Sequence, residues 1–371
     1  MTNLPTGLPI DLPTEAIGSI PRSETLMQAQ RQYDAGQIDA AAMNAFYDEA
    51  VQQTIRELEN TGSRIITDGE QRKTHSFATY SVEGGKNFAP DGLEIPFSDG
   101  HVRRLPRLTA GPFRYALSAA ETLPMAKQYT QLPMKQAIIS VSALSLFYPS
   151  EAIAGYSREA FLDDLIDEQE KEIRGCFAAG AQKVQIDFTE GRLALKLDPS
   201  GSVLNSFIEL NNRVLARLTD AERQSIGIHT CPGADHDATH SADVDYAELL
   251  PSLFELNAGS FYIAMAAEAD PERGLKIVAR YLKPWQRAFI GVIDVNNPDI
   301  ETPEEVCARI MQAARYIPLE QLGTTDDCGF SPFCDDISTS RATAFAKIKA
   351  RVEGTAMAVE QLASQNGVLH G

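Results

Sequence analysis

Eight short apolar runs, each followed by a stretch of helical period, set the rhythm of this 371-residue sequence. The runs fall at residues 16–20, 64–67, 137–141, 183–187, 225–229, 260–264, 288–293 and 321–325. Helical pattern occupies 24–60 (broken near Gly36), 118–129, 157–179, 203–218, 246–256, 271–282 and 303–316, with a last segment at 339–364. Such alternation implies parallel strands covered by helices. Eight units in this length favour a closed (β/α)8 TIM barrel over a doubly wound sheet. No Gly-rich dinucleotide fingerprint follows the first run, which also disfavours the open sheet. Residues 71–112 break the rhythm with many Gly and Pro residues, and we read them as an insertion over the barrel mouth. Without a linker or repeat, residues 1–371 are expected to form a single domain.

Composition narrows the partners. The formal net charge of −18 repels nucleic acid and anionic membranes, so neither is expected as a partner. The N-terminus has no basic or apolar leader pattern. The longest apolar stretch, near 137–147, is interrupted by Ser140, Ser142 and Ser145 and is too short to span a bilayer. Five cysteines in so long a chain do not make a disulfide framework. A reducing cytoplasm is expected, with a homo-oligomer left open.

Active sites of barrels lie at the C-terminal ends of the strands. Polar residues gather there: Gly18-Ser19, Asp68-Gly69-Glu70, Asp187, His229-Thr230-Cys231, Asp294 and Asp326-Asp327-Cys328-Gly329. Core packing does not ask for carboxylates and thiols at these places. His229 and Cys231 are two apart on a strand, so both point to the same side. Cys328 can converge from another strand end. An imidazole and two thiolates suit Zn2+ with one position left for substrate. The plainer reading is a packed histidine and two buried free thiols. Zinc bound by thiolates suits activation of a substrate thiol, which points to alkyl transfer onto sulfur.

The stretches Ile17-Gly18-Ser19-Ile20-Pro21-Arg22, Asp68-Gly69-Glu70, Gln185-Ile186-Asp187, Ile228-His229-Thr230-Cys231, Gly291-Val292-Ile293-Asp294 and Asp327-Cys328-Gly329 occur in order along the chain. In them the sequence resembles the cobalamin-independent methionine synthase family. The resemblance implies that His229, Cys231 and Cys328 bind catalytic zinc. It implies that Gly18, Ser19 and Glu70 hold the amino-acid part of a homocysteine-like thiol, that Asp187 binds its ammonium, and that a methyl donor is the second substrate.

The sequence departs from the family in four places. Family synthases are usually about twice this length, with a further barrel before the catalytic one. Their glutamate zinc ligand on the sixth strand is missing, and Glu268 is the nearest acid for a fourth ligand. Asn296 stands where they have a proton-donating histidine, and His75 becomes the candidate catalytic replacement beside Glu70 and Asp187. The aromatic residue that stacks on folate has no match.

Two further chemistries stay in view: epoxide opening by a zinc-bound thiol, as in a related coenzyme M transferase, and a metal-free lyase of the uroporphyrinogen decarboxylase type. A barrel that only stores or senses zinc is the non-enzymatic alternative. Arg22, Arg72 and Lys73 are candidates to hold an anion. Asp235-His236-Asp237 with His240 reads as a solvated loop rather than a second metal site. Glu190 and Arg192 are placed at the mouth, and Cys176 and Cys307 in packing positions.

Overall fold

The computed structural model describes residues 10–368. Seven strands form one parallel sheet: β1 (Thr14–Glu15), β2 (Lys135–Ile139), β3 (Lys183–Asp187), β4 (Ile226–Thr230), β5 (Ser260–Ile263), β6 (Arg287–Ile293) and β7 (Leu322–Asp326). Their order is β1-β7-β6-β5-β4-β3-β2. β2 to β7 are almost wholly buried, which is why they read as continuous apolar runs rather than alternating ones.

The run at 64–67 closes the sheet without becoming a regular strand. Ile66 bridges Met134 in parallel on the β2 side. On the β1 side, the Ile20 N–H donates to the Gly69 carbonyl at 3.0 Å, and Thr67 Oγ1 donates to the Gly18 carbonyl at 3.0 Å. The first expected strand is displaced: Thr14 and Glu15 pair with Thr324 and Thr325. The ladder ends at Glu15, and residues 16–20 form a loop with Gly18 at a φ of 155°. The loop so formed carries Ser19 to the mouth.

Helices pack outside, and their starts are fixed by side-chain caps. Ser157 accepts from the Ala160 N–H to begin Arg158–Ala178, and Thr302 with Glu305 makes a capping box for Pro303–Ala313. Two short helices absent from the sequence reading start directly after strands: Val141–Ser145 after β2 and Glu190–Leu197 after β3. Within 71–112, Phe88–Ala89 pairs with Arg107–Leu108 and Glu94–Pro96 with Val102–Arg104, giving a two-tier hairpin. Its tip rests on the loop after Cys231, where the Ser98 N–H donates to the Thr239 carbonyl at 2.9 Å.

Inside the barrel, below the mouth, Glu15 meets Lys183 at 2.6 Å and Lys135 at 3.7 Å. β1 neighbours neither β2 nor β3 in the sheet, so Glu15 meets the two lysines across the interior. Tyr262 donates to Glu15 and stacks on Phe289, with ring centroids 4.7 Å apart. Gly227 leaves room for that ring, since a β carbon there would lie 2.3 Å from it.

Candidate metal and substrate site

His229 is the last residue but one of β4 and pairs in register with Asp187 at the end of β3. Cys231 follows on the same side of the strand, and Cys328 arrives just past β7. Donor atoms of His229, Cys231 and Cys328 all lie within 4.8 Å of one another, and the three residues are buried. The two sulfurs are 3.4 Å apart, and both thiols are free. Thiolates about 2.3 Å from a tetrahedral zinc ion stand roughly 3.8 Å from each other, so small shifts would seat the ion.

His229 Nδ1 lies 3.1 Å from Asp187 Oδ1, which also accepts from Gln185 Nε2 at 2.7 Å. A carboxylate behind the ring fixes the tautomer and leaves Nε2 for a metal. Burial opposes charge on His229, yet Asp187 and Cys328 raise its pKa to about 10. The Cys328 thiol is pushed well above its ordinary value by its hydrogen bond with Cys231 and by burial. A bound cation would reverse that balance, because its charge favours the thiolates. The Gly233 N–H, 3.3 Å from Cys231 Sγ, is placed to support one of them.

The neighbours of Cys328 explain its motif. Asp327 accepts from the backbone N–H groups of Met265, Ala266 and Ala267 at 2.8, 2.9 and 2.9 Å, pinning the loop after β5. Burial raises its carboxyl to about 7 even so. Gly329 is needed for approach, since a β carbon there would meet Ser19 Oγ at 2.0 Å. The sequence marked Asp327 and Gly329 as motif members but gave no role to either.

A cavity of about 540 Å³ opens beside the donors and is lined by Ser19, Glu70, His75, Asp187, His229, Cys231 and Cys328 among others. Gly18 lies behind it, where a β carbon would stand 3.1 Å from Glu70 Oε1. Glu70 is buried with a φ of 57°, a left-handed conformation held from outside. Arg22 supplies that hold, donating to the carbonyls of Glu70 at 2.9 Å, Lys73 at 3.0 Å and Ser331 at 2.6 Å. Burial raises the Glu70 carboxyl; Lys73, 3.2 Å away, pulls it down and Asp187 pushes it up.

Some expectations need correction. Glu268 is not among the gathered donors and does not line the cavity. Its carboxylate is taken by Arg192 at 2.5 Å, a buried guanidinium that also lies over the Tyr246 ring. Arg22, Arg72 and Lys73 are not free for an anion: Arg22 is spent on carbonyls, Arg72 on Asp48 and Asn44, and Lys73 on Glu70. The 235–240 loop is more built than a solvated one. Asp235, His236 and Asp336 do gather, but the cation on Asp235 is the Arg103 guanidinium, bidentate at 2.5 and 3.0 Å. His75 reaches the outer cavity wall, half exposed between Glu83 at 3.3 Å and Asp34 at 3.7 Å, and its bond to Glu83 raises its pKa. Asn296 does not line the cavity.

Residues 12–349 match the family described as cobalamin-independent synthase, catalytic domain. A methionine synthase of Sulfurisphaera tokodaii is 26% identical over 365 residues, covering 96% of this chain and 94% of its own. One from Saccharolobus solfataricus is 25% identical over 354 residues, covering 95% and 96%. Relatives of the same length therefore exist, without a preceding barrel. Among solved structures, a B12-independent methionine synthase from Shewanella sp. W3-18-1 in complex with selenomethionine superposes with a TM-score of 0.74 at 19% identity, covering 95% of this chain and 99% of that one. A putative vitamin-B12 independent methionine synthase from Listeria monocytogenes gives 0.64 at 19%, covering 96% and 99%. The fold is that of these barrels, and the chain belongs to the cobalamin-independent synthase family through its catalytic domain.

Proposed function

We propose that this protein transfers a methyl group to the thiol of homocysteine, using zinc held by His229, Cys231 and Cys328. The observation that carries this reading is the convergence of three soft or borderline donors within 4.8 Å at the wall of a cavity that also presents Glu70 and Asp187. The donor set fits zinc better than a hard cation, which would ask for oxygen ligands. Bound there, zinc would lower the pKa of a thiol placed against it and keep that thiol nucleophilic at neutral pH.

The chain's own residues do the rest. Asp187 fixes the His229 ring through Nδ1. Glu70 and Asp187 together offer negative charge to the substrate's ammonium. The loop at Gly18 and Ser19 sits beside them to receive its carboxylate. The apolar wall keeps water from the sulfur. A metal-free lyase acting on a polycarboxylate fits less well, because the arginines on the wall are already paired: Arg103 with Asp235 and Asp335, and Arg104 with Glu94.

The test is metal analysis of protein purified without chelator, followed by homocysteine titration of the cobalt-substituted form. One equivalent of zinc and a change in the thiolate–metal absorption on adding homocysteine are expected. A protein that folds but retains no zinc, or whose spectrum ignores homocysteine, would sink the reading.

A further inference from the structure

Resting on the proposal that a thiol is methylated here, the structure also speaks to what donates the methyl group. Four carboxylates line the cavity: Glu70, Asp187, Glu190 and Asp335. Three have a basic partner, namely Lys73, His229 and Arg103. Glu190 has none among the described residues, although it is only 4% exposed. Its Oε1 accepts from Ser140 Oγ at 2.5 Å and from Ser142 Oγ, and Asn211 Nδ2 holds Ser142 in turn at 2.6 Å. Its Oε2 is buried with no hydrogen-bond partner among the described residues. A carboxylate oxygen in that state loses its hydration without return, and a built site normally supplies the missing partner.

Among the described residues, the charged basic groups of the wall are engaged. Arg103 and Arg104 are paired with acids, and His75 sits between Glu83 and Asp34. His240 is held neutral, because burial lowers its pKa to about 4. Among the described residues, an anionic ligand entering this cavity would find no free cation, whereas a cationic one would find Glu190. Phe77 and Phe147 also line the wall, as do Phe97, stacked on His101, and Phe333, with Arg103 over its ring; aromatic rings with a carboxylate are the recognition chemistry of methylated cations.

We propose that the methyl donor is a small methylated onium compound whose positive centre is received by Glu190 and the phenylalanines of the cavity wall. The bookkeeping of the step is simple. The thiolate sulfur uses a lone pair to form the new S–CH3 bond. The bond from that methyl to the onium atom breaks, and its electron pair stays on the departing atom. With a sulfonium donor, a neutral sulfide leaves. Opposite charges cancel and no proton moves, so an apolar cavity favours the transition state over the separated ions. Burial, moderated by the two serines, raises the Glu190 carboxyl to about 7, and an adjacent cation would bring it back to the ionised form.

The experiment has two arms on the zinc-loaded protein, with the cobalt-substituted form used for the spectrum. First, calorimetry compares choline with its uncharged carbon isostere, 3,3-dimethylbutan-1-ol. Choline is expected to bind roughly tenfold or more tightly, and Glu190→Gln to remove the difference while homocysteine still perturbs the cobalt spectrum. Second, methionine formation is measured with trimethylsulfonium, S-methyl-L-methionine, trimethylglycine and 5-methyltetrahydrofolate as donors. Turnover with an onium donor is expected, with sulfonium and ammonium separated by their rates, and Glu190→Gln should raise KM more than it lowers kcat. Equal binding of choline and its isostere would overturn the proposal. So would turnover from the folate alone, with Glu190→Gln erasing one limb of the pH profile, since Glu190 would then be a proton donor to a neutral leaving group. If homocysteine fails to perturb the metal spectrum, it is the thiol-activation reading that has failed, not the donor assignment.

Discussion

Near the bottom of the barrel, Glu15 is surrounded by Lys183, Lys135 and the Tyr262 hydroxyl. At the mouth, Cys231 and Cys328 face each other 3.4 Å apart, and Glu190 keeps one oxygen without a partner among the described residues. Both regions bury polar groups inside the same sheet. Below, the charges answer one another: despite burial, Lys135 and Lys183 hold the Glu15 carboxyl below its ordinary range. Above, burial and like neighbours win, and Cys328, Glu190 and Asp327 are all raised. The lower layer is held by its own opposite charges, although Lys135 Nζ, 3.7 Å from Glu15, makes no hydrogen bond among the described residues. The upper one is finished only by what binds there, which is the pattern expected of a site rather than a core.

The hardest test of that contrast is to remove a donor from each layer. Cys328→Ala should abolish stoichiometric zinc and lower kcat/KM for methyl transfer by about 10³-fold or more, while the protein stays folded. Metal content and methionine formation measure this. Glu15→Leu should do the reverse. It leaves two lysines unpaired inside the barrel and should cost about 3–5 kcal/mol in urea unfolding, with zinc content and turnover per folded molecule unchanged. If Glu15→Leu lost zinc while remaining folded, the two layers would be one unit and the contrast would fail.

A milder change sharpens the upper layer. Asp187 was expected, from the family resemblance, to bind the substrate ammonium, and it also holds the His229 ring. Asp187→Asn should weaken zinc affinity about 10–100-fold in chelator competition, the usual size for a carboxylate behind a metal-bound histidine. Should zinc affinity hold while KM for homocysteine rises, the ammonium would be its main partner.

The parts legible in the sequence are those with local signatures. The period of two put His229 and Cys231 on one side, and the apolar runs located the strands to within a few residues. Asp327-Cys328-Gly329 stood out because three chemically special residues rarely meet without a reason. The parts that were not legible depend on distant partners. The Ser140 and Ser142 bonds to Glu190 span 50 and 48 residues, and the Lys183 bond to Glu15 spans 168. No pattern in either segment announces them. Glu268 was a reasonable fourth donor by position, but nothing near it in sequence shows that Arg192, 76 residues earlier, takes its carboxylate. The first strand was misplaced because Ala16-Ile17 is more apolar than Thr14-Glu15. The polar pair serves in the ladder because Glu15 has cations waiting across the interior.

The smallest expected effect probes the lower layer by pH. Burial lowers the Lys135 ammonium to about 8 against the pull of Glu15, while an unfolded lysine titrates near about 10.4. Between those values the unfolded chain binds more protons than the folded one, so unfolding free energy should rise with pH across that window. The slope from one such group is at most about 1.4 kcal/mol per pH unit. Urea midpoints from pH 8 to 10 should therefore climb more steeply for the wild type than for Lys135→Met, which carries no proton to lose. Parallel curves would mean that Lys135 keeps its charge and that Glu15 fully offsets burial. Then the lower layer would be a true ion triad, and its difference from the mouth would be one of charge balance alone rather than of balance helped by a neutralised lysine.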